Sequence, residues 1–184
     1  MPRIAPAEPP FPPAIQDQLD RIMPKGIEPL ALFTTLARDG RLFERFMAGA
    51  LLDRGHLTLR QRELVIDRIT ALSGSVYEWG VHVALFGARI GLTAEEISSL
   101  AHGGSADPCW SPSDQVLLQA CESLHRTCDL TDELWQDLRG HLTEEAVMEV
   151  LMLAGAYRTV SYLTNALRLA PERFAPGFPV APGS

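Results

Sequence analysis

Glu63, Glu78 and His82 are acid–base groups carried on two successive segments that are otherwise apolar. Glu78 and His82 stand four residues apart, so on a helix they meet across one turn. A carboxylate beside an imidazole favours the imidazolium, while removal from water opposes it. Such a pair can give and take a proton near neutral pH, which is the chemistry of a general acid–base catalyst. The plainer alternative is a core histidine satisfied by a neighbouring carboxylate. Stepping a helix from Ser75 to Ile90 at about 100° per residue places Ser75, Glu78, His82, Leu85, Phe86 and Arg89 on one face. Trp79 and Ile90 flank it, and Ser75, Tyr77 and Trp79 are candidates for holding a ligand. The opposite face carries Gly80, Ala84, Gly87 and Ala88, small residues expected to admit a neighbouring helix, so that the segment is buried on both sides.

On the preceding segment Val65, Ile66, Ile69 and Leu72 form the main apolar arc, with Arg62 and Arg68 within or beside it. An arginine in that position must find an anion, either Glu78 or a bound carboxylate. Arg62, Arg68 and Arg89 are therefore the candidate substrate-binding cations. Glu63, Asp67 and Thr70 fall on the other side, so periodicity alone makes Glu63 solvent-exposed, and the plainer reading of Arg62, Asp67 and Glu63 is a solvated or subunit-facing surface.

Several other chemistries lack their signatures. His56, His102, His125 and His141 show neither HxH nor HxxxH spacing, so no metal is expected. There is no glycine-rich phosphate loop and no GxSxG elbow. Cys109, Cys121 and Cys128 form no CxxC pair, and the seven-residue spacing of the last two separates them by about 10 Å along a helix. An odd cysteine count suggests a reduced, cytoplasmic protein. A net charge of -7 with a single lysine, Lys25, argues against a nucleic-acid partner. No leader of the secretory type and no run of roughly 18 apolar residues is present, so no membrane association is expected.

The elements that must position these residues read as helices throughout, which makes the fold class all-α. Apolar residues recur at helical spacing over 14–23, 28–38 and 40–53. Thr58 with Gln61 forms a capping box opening a helix to about Leu72, and Thr93 with Glu96 opens a short one to about Ala101. The Ser75–Ile90 helix is expected to stop at Gly91. Ser111-Pro112 starts a helix running to about Thr127, and Thr131 caps a short successor. Thr143 caps a last helix that reaches toward Leu169. Its apolar residues from Val147 to Leu163 occupy most of its circumference, which implies burial on several sides, in part by another subunit. Residues 14–170 form one domain between proline-rich arms, 1–13 and 171–184. These arms are non-helical, and either fray or clasp a neighbouring subunit through Phe11, Phe174 and Phe178.

Arg62-Glu63-Leu64-Val65-Ile66, then Tyr77-Glu78-Trp79-x-x-His82, Ala84 and Gly91-Leu92-Thr93-x-Glu95-Glu96-Ile97, resemble the carboxymuconolactone decarboxylase family, which includes the AhpD-type hydroperoxidases. The resemblance implies an AhpD-like helical bundle that assembles as a trimer or hexamer, with sites near subunit interfaces. It also implies a role for Glu63, since the peroxidase branch has a CxxCxxxH motif and a glutamate nineteen residues before the histidine. Glu63 and His82 match those two positions, whereas Ser75 and Glu78 stand where the cysteines belong. Without thiols the peroxide-reducing cycle cannot run on this motif. The decarboxylase branch works without cysteines on a small lactone acid. The expected activity is therefore a cofactor-independent lyase or isomerase acting on a small carboxylate- or lactone-bearing metabolite. The resemblance gives His82 the acid–base role, poised by Glu63 or Glu78. A peroxidase using Cys109, Cys121 or Cys128, and a non-catalytic oligomeric binding protein, are the alternatives.

Overall fold

The structure is a computed structural model that describes residues 1–49 and 51–181. Ala50, inside the expected 40–53 helix, and residues 182–184 of the expected C-terminal arm lie outside the described residues. Nine α-helices are described: α1 (Pro13–Ile22), α2 (Ala31–Leu36), α3 (Gly40–Ala48), α4 (Leu59–Leu72), α5 (Val76–His82), α6 (Ala94–His102), α7 (Pro112–Thr127), α8 (Asp132–His141) and α9 (Glu144–Ala166). The described residues contain no strand. The capping boxes at Thr58 and Thr93 form as expected. Ser111, Thr131 and Thr143 likewise cap α7, α8 and α9 by accepting from backbone N–H groups. Each cap satisfies a donor that the first helical turn leaves free.

α4 runs through the centre of the bundle. Leu64, Val65, Ile66 and Ile69 are buried with Leu100 of α6, Leu117, Leu118 and Cys121 of α7, and Val147, Val150 and Leu153 of α9. This helix is enclosed on every side, because all eight residues from Glu63 to Thr70 are buried. The expectation that Glu63 and Asp67 face solvent or a second subunit is therefore wrong. A helix surrounded by others has no solvent side, so hydrophobic periodicity does not reveal its orientation.

The expected continuous helix from Ser75 to Ile90 is three pieces. α5 ends at His82, a π-helical turn spans Val83–Gly87, and a 3-10 turn covers Ala88–Ile90. Gly91 then stops the run with φ +70, the left-handed conformation that a glycine adopts without penalty. The uniform 100° step consequently fails beyond His82. The small-residue face is not packed by a helix either. Ala84 and Ala88 are exposed, and a Cβ at Gly80 would lie 2.3 Å from the Pro176 carbonyl of the C-terminal arm.

Both arms lie along their own chain rather than fraying. Arg3 and Ala7 donate backbone hydrogen bonds to Leu167 and Thr34, and Phe11 packs on a small second core of Ile15, Leu19, Ala37 and Phe43. In the C-terminal arm Glu172 accepts from the Ala31 amide at 2.7 Å and from the Tyr77 hydroxyl. Phe178 meets Trp79 edge-on at 5.0 Å.

Two arginines tie peripheral elements to α4. Arg60 bonds Glu96 at 2.5 Å, Asp114 at 3.0 Å and the Ile90 carbonyl. Arg68 bonds Glu122 at 2.6 Å and the carbonyls of Leu100 and Gly103, each at 2.9 Å. Arg68 is 5% exposed, so Arg68→Met strands several buried acceptors at once. That variant should lose about 3 kcal/mol in urea unfolding; a loss below about 0.5 kcal/mol would show that the network does not hold the α6–α7 loop.

Candidate active site

The polar cluster is assembled where α4, α5 and α9 meet. Ser75 caps α5 and exchanges a 2.8 Å hydrogen bond with Thr164 of α9. α5 thereby presents Glu78 and His82 toward α4 and α9. His82 Nδ1 lies 2.7 Å from Glu63 Oε2. Facing a carboxylate, Nδ1 carries the proton and donates it. Its Nε2 lies 3.1 Å from the Tyr157 hydroxyl and 3.4 Å from Glu78 Oε1. The other oxygen of Glu63 accepts two hydrogen bonds from Arg62, at 2.9 and 2.7 Å, and Arg62 also donates to the Leu52 carbonyl. Glu63 is 0% exposed and His82 4%.

Burial on its own would lower the imidazole, but the hydrogen bonds and charges of Glu63 and Glu78 outweigh it and raise His82 from 6.5 to about 10. His82 thus rests as the imidazolium at neutral pH, above the near-neutral titration that the residues alone suggest. Asp67, one helical turn after Glu63, is 1% exposed, and its Oδ1 has no hydrogen-bond partner. Burial pushes its carboxyl well above the ordinary range, against the pull of His82 and with the support of Glu63. Burial likewise raises the Tyr157 phenol, reinforced by Glu78 and Glu63.

The aromatic shell is ordered around the imidazole. Phe86, placed by the π turn, stacks on His82 at 5.5 Å, and Tyr157 meets it edge-on at 5.1 Å. The guanidinium carbons of Arg62 and Arg89 lie 5.4 and 5.2 Å from the Phe86 centroid, within cation–π reach. π turns recur at functional sites because they re-aim side chains.

The structure brings Glu63, Glu78, His82 and Arg62 together and separates the other candidates. Arg62 finds its anion in its own neighbour Glu63, and Arg68 finds Glu122; neither pairs with Glu78. Arg89 is exposed on the outer side of Phe86. The Tyr77 hydroxyl accepts from the Leu32 amide and donates to Glu172, and Trp79 is buried against Phe178. Both side chains seat the C-terminal arm. Glu63 is closed in by its own chain, with no need of a neighbour. Asp67 and Tyr157 join the cluster although the sequence pattern marks neither: Asp67 lies off the apolar arc of α4, and Tyr157 is one of two tyrosines on α9. Among the described residues no group of three or more His, Cys, Asp or Glu is arranged to hold a metal ion, and no helix is long and apolar enough to cross a membrane.

Residues 40–122 match the carboxymuconolactone decarboxylase family. None of the curated proteins matches the chain. The fold is similar to a peroxidase-related protein of Silicibacter sp. TM1040, with a TM-score of 0.80 at 16% identity over 92% of this chain and 90% of that one. It is also similar to a peroxidase-related protein with an alkylhydroperoxidase AhpD core from Ralstonia eutropha JMP134, with a TM-score of 0.74 at 18% identity, covering 92% and 93%. A third structure, the debrominase Bmp8 in complex with 2,3,4-tribromopyrrole, has a TM-score of 0.69 at 12% identity, covering 93% and 92%. The class is an all-α protein with the AhpD-like fold. The stretch that matches the carboxymuconolactone decarboxylase family contains Glu63, Ser75, Glu78 and His82.

The His82 shift has a definite sign in a stability profile. The folded value of about 10 lies above the unfolded value of about 6.5. Its stabilising contribution is complete below about pH 6.5 and is lost as pH rises through about 10. The urea midpoint should therefore fall over that interval more steeply for the wild type than for His82→Gln. Identical slopes would remove the charged-imidazolium assignment.

Proposed function

We propose that the protein is a cofactor-independent acid–base enzyme, a lyase or isomerase acting on a small metabolite, with His82 as the group that delivers and recovers the proton. The observation that carries this reading is the division of the imidazole: Glu63 occupies Nδ1, and Nε2 is turned to Tyr157 and Glu78. Glu63 orients the ring and stabilises its charge, Arg62 fixes Glu63, and Nε2 is the edge at which a reacting carbon or oxygen would exchange a proton. Support also comes from the family match, whose members' chemistry is of small molecules. The peroxidase alternative finds less support. Cys121 is buried and its thiol pushed up to about 12, and burial also raises Cys109; a protonated thiol is a poor nucleophile.

The test is turnover of candidate lactones and enols in deuterated water, followed by NMR. His82→Gln should slow proton incorporation by about 100-fold or more, whereas serine at Cys109, Cys121 and Cys128 together should leave it unchanged. A peroxide-reducing activity that vanishes in the triple variant would replace this reading with the peroxidase one.

We further infer self-association through α9. Met148, Met152, Gly155, Thr159 and Tyr162 recur at alternating spacings of four and three and are all exposed, Met152 at 63%. That is the spacing of a seam between paired helices, and the exposed side chains of Met148, Met152 and Tyr162 give it apolar surface to bury. Met152→Glu should shift the sedimentation profile toward the monomer; an unchanged profile would place the interface elsewhere.

A further inference from the structure

Three arginines are the candidates for seating a substrate carboxylate, and none offers an open guanidinium inside the site. Arg62 is taken by Glu63 and the Leu52 carbonyl. Arg68 is taken by Glu122 and the loop carbonyls. Arg89 is exposed and lies over Phe86. Of the buried atoms without partners, the two in the carboxyl groups nearest His82 are acceptors. Glu78 Oε2 and Asp67 Oδ1 have no hydrogen bond, in residues only 6% and 1% exposed. Buried carboxyl oxygens are almost always paired, so two orphans around one histidine call for something that pairs with them.

Charge narrows what that is. The cations Arg62 and His82 already lie against the carboxylates of Glu63 and Glu78, and burial pushes the Asp67 carboxyl well above its ordinary range. A carboxylate entering this cluster would be buried with no cation of its own, which is strongly unfavourable. A cation would be the mirror case. A neutral hydrogen-bond donor satisfies Glu78 Oε2 and leaves the balance intact. Because Oε1 of the same carboxylate lies 3.4 Å from His82 Nε2, the donor would be held next to the proton-bearing edge of the imidazolium.

We propose that the ligand of this site is a neutral molecule that donates an O–H or N–H hydrogen bond to Glu78, such as an enol, a phenol or a ring N–H, rather than a carboxylate. This rests on reading the His82 cluster as an active site, and it replaces the carboxylate-bearing substrate that the free-arginine expectation suggested. Phe86, half-buried and stacked on His82, covers the site toward Arg89 and must yield to a ring-sized ligand.

Three probes of one shape separate the possibilities: 4-methylphenol, 4-methylbenzoate and toluene. Each is titrated into protein with nitrogen-labelled histidine, and the His82 ring resonances are followed in the wild type, Glu78→Gln and Phe86→Ala. In the wild type, or in Phe86→Ala if the ring blocks entry, 4-methylphenol should shift His82 saturably and the other two should bind at least about tenfold more weakly. Glu78→Gln should weaken the phenol by about tenfold, the value of a hydrogen bond to a charged acceptor. The proposal is overturned if 4-methylbenzoate or toluene binds as well as the phenol, if Glu78→Gln has no effect, or if no probe shifts His82 in either protein. Deuterium incorporation dependent on His82 reports on the acid–base reading separately, so either idea can fail while the other stands.

Discussion

The hydrogen bond between Glu63 and His82 is the interaction around which this molecule is organised. It places two ionisable groups at the crossing of α4 and α5, where water does not reach. Burying one such group alone is prohibitive, and burying both is tolerable only with close geometry and further partners. The further partners are present: Arg62 takes the second oxygen of Glu63, and Tyr157 and Glu78 take the far edge of the imidazole. α4 must therefore be enclosed, α5 must be capped so that it points inward, and α9 must bring a tyrosine to the same spot.

The rest of the fold keeps α4 enclosed. Arg60 and Arg68 reach outward from it and gather α6, α7 and the turn at Ile90, using arginines near the core as ties rather than as ligand sites. The C-terminal arm secures the outer side of α5 through Tyr77, Gly80 and Trp79. So the Tyr-Glu-Trp signature divides its labour: the glutamate faces the histidine while the two aromatic residues dock the arm.

Much of the helical layout was legible because helix ends are local chemistry. Thr58 with Gln61, Thr93 with Glu96 and Pro112 after Ser111 announce their helices within four residues. The burial of Glu63 was not legible, because it depends on how many neighbours surround α4 and not on the pattern within it. Its partnership with His82 was suggested by family spacing, which records the fold's outcome without explaining it. The fates of Arg62 and Arg68 were half legible: their need for an anion was clear, but the anion was in one case the adjacent residue and in the other fifty-four residues away. Asp67 was hidden for the same reason as Glu63, since it lies on the enclosed α4, whereas Tyr157 is one polar-tipped side chain within the apolar stretch of α9 and nothing in that stretch marks it.

The π turn at Val83–Gly87 has a consequence for comparing this chain with others of its fold. A π turn accommodates one residue more than an α turn over the same rise. Up to His82, counting residues from the start of α5 gives the correct spatial position; beyond it the count slips. In a relative whose helix continues as regular α, the residue four places after the histidine would not occupy the space of Phe86, and the seventh would not occupy that of Arg89. Aligned columns that agree through the histidine would then pair non-equivalent side chains directly over the imidazole. Equivalence across this stretch is a matter of superposition rather than of numbering.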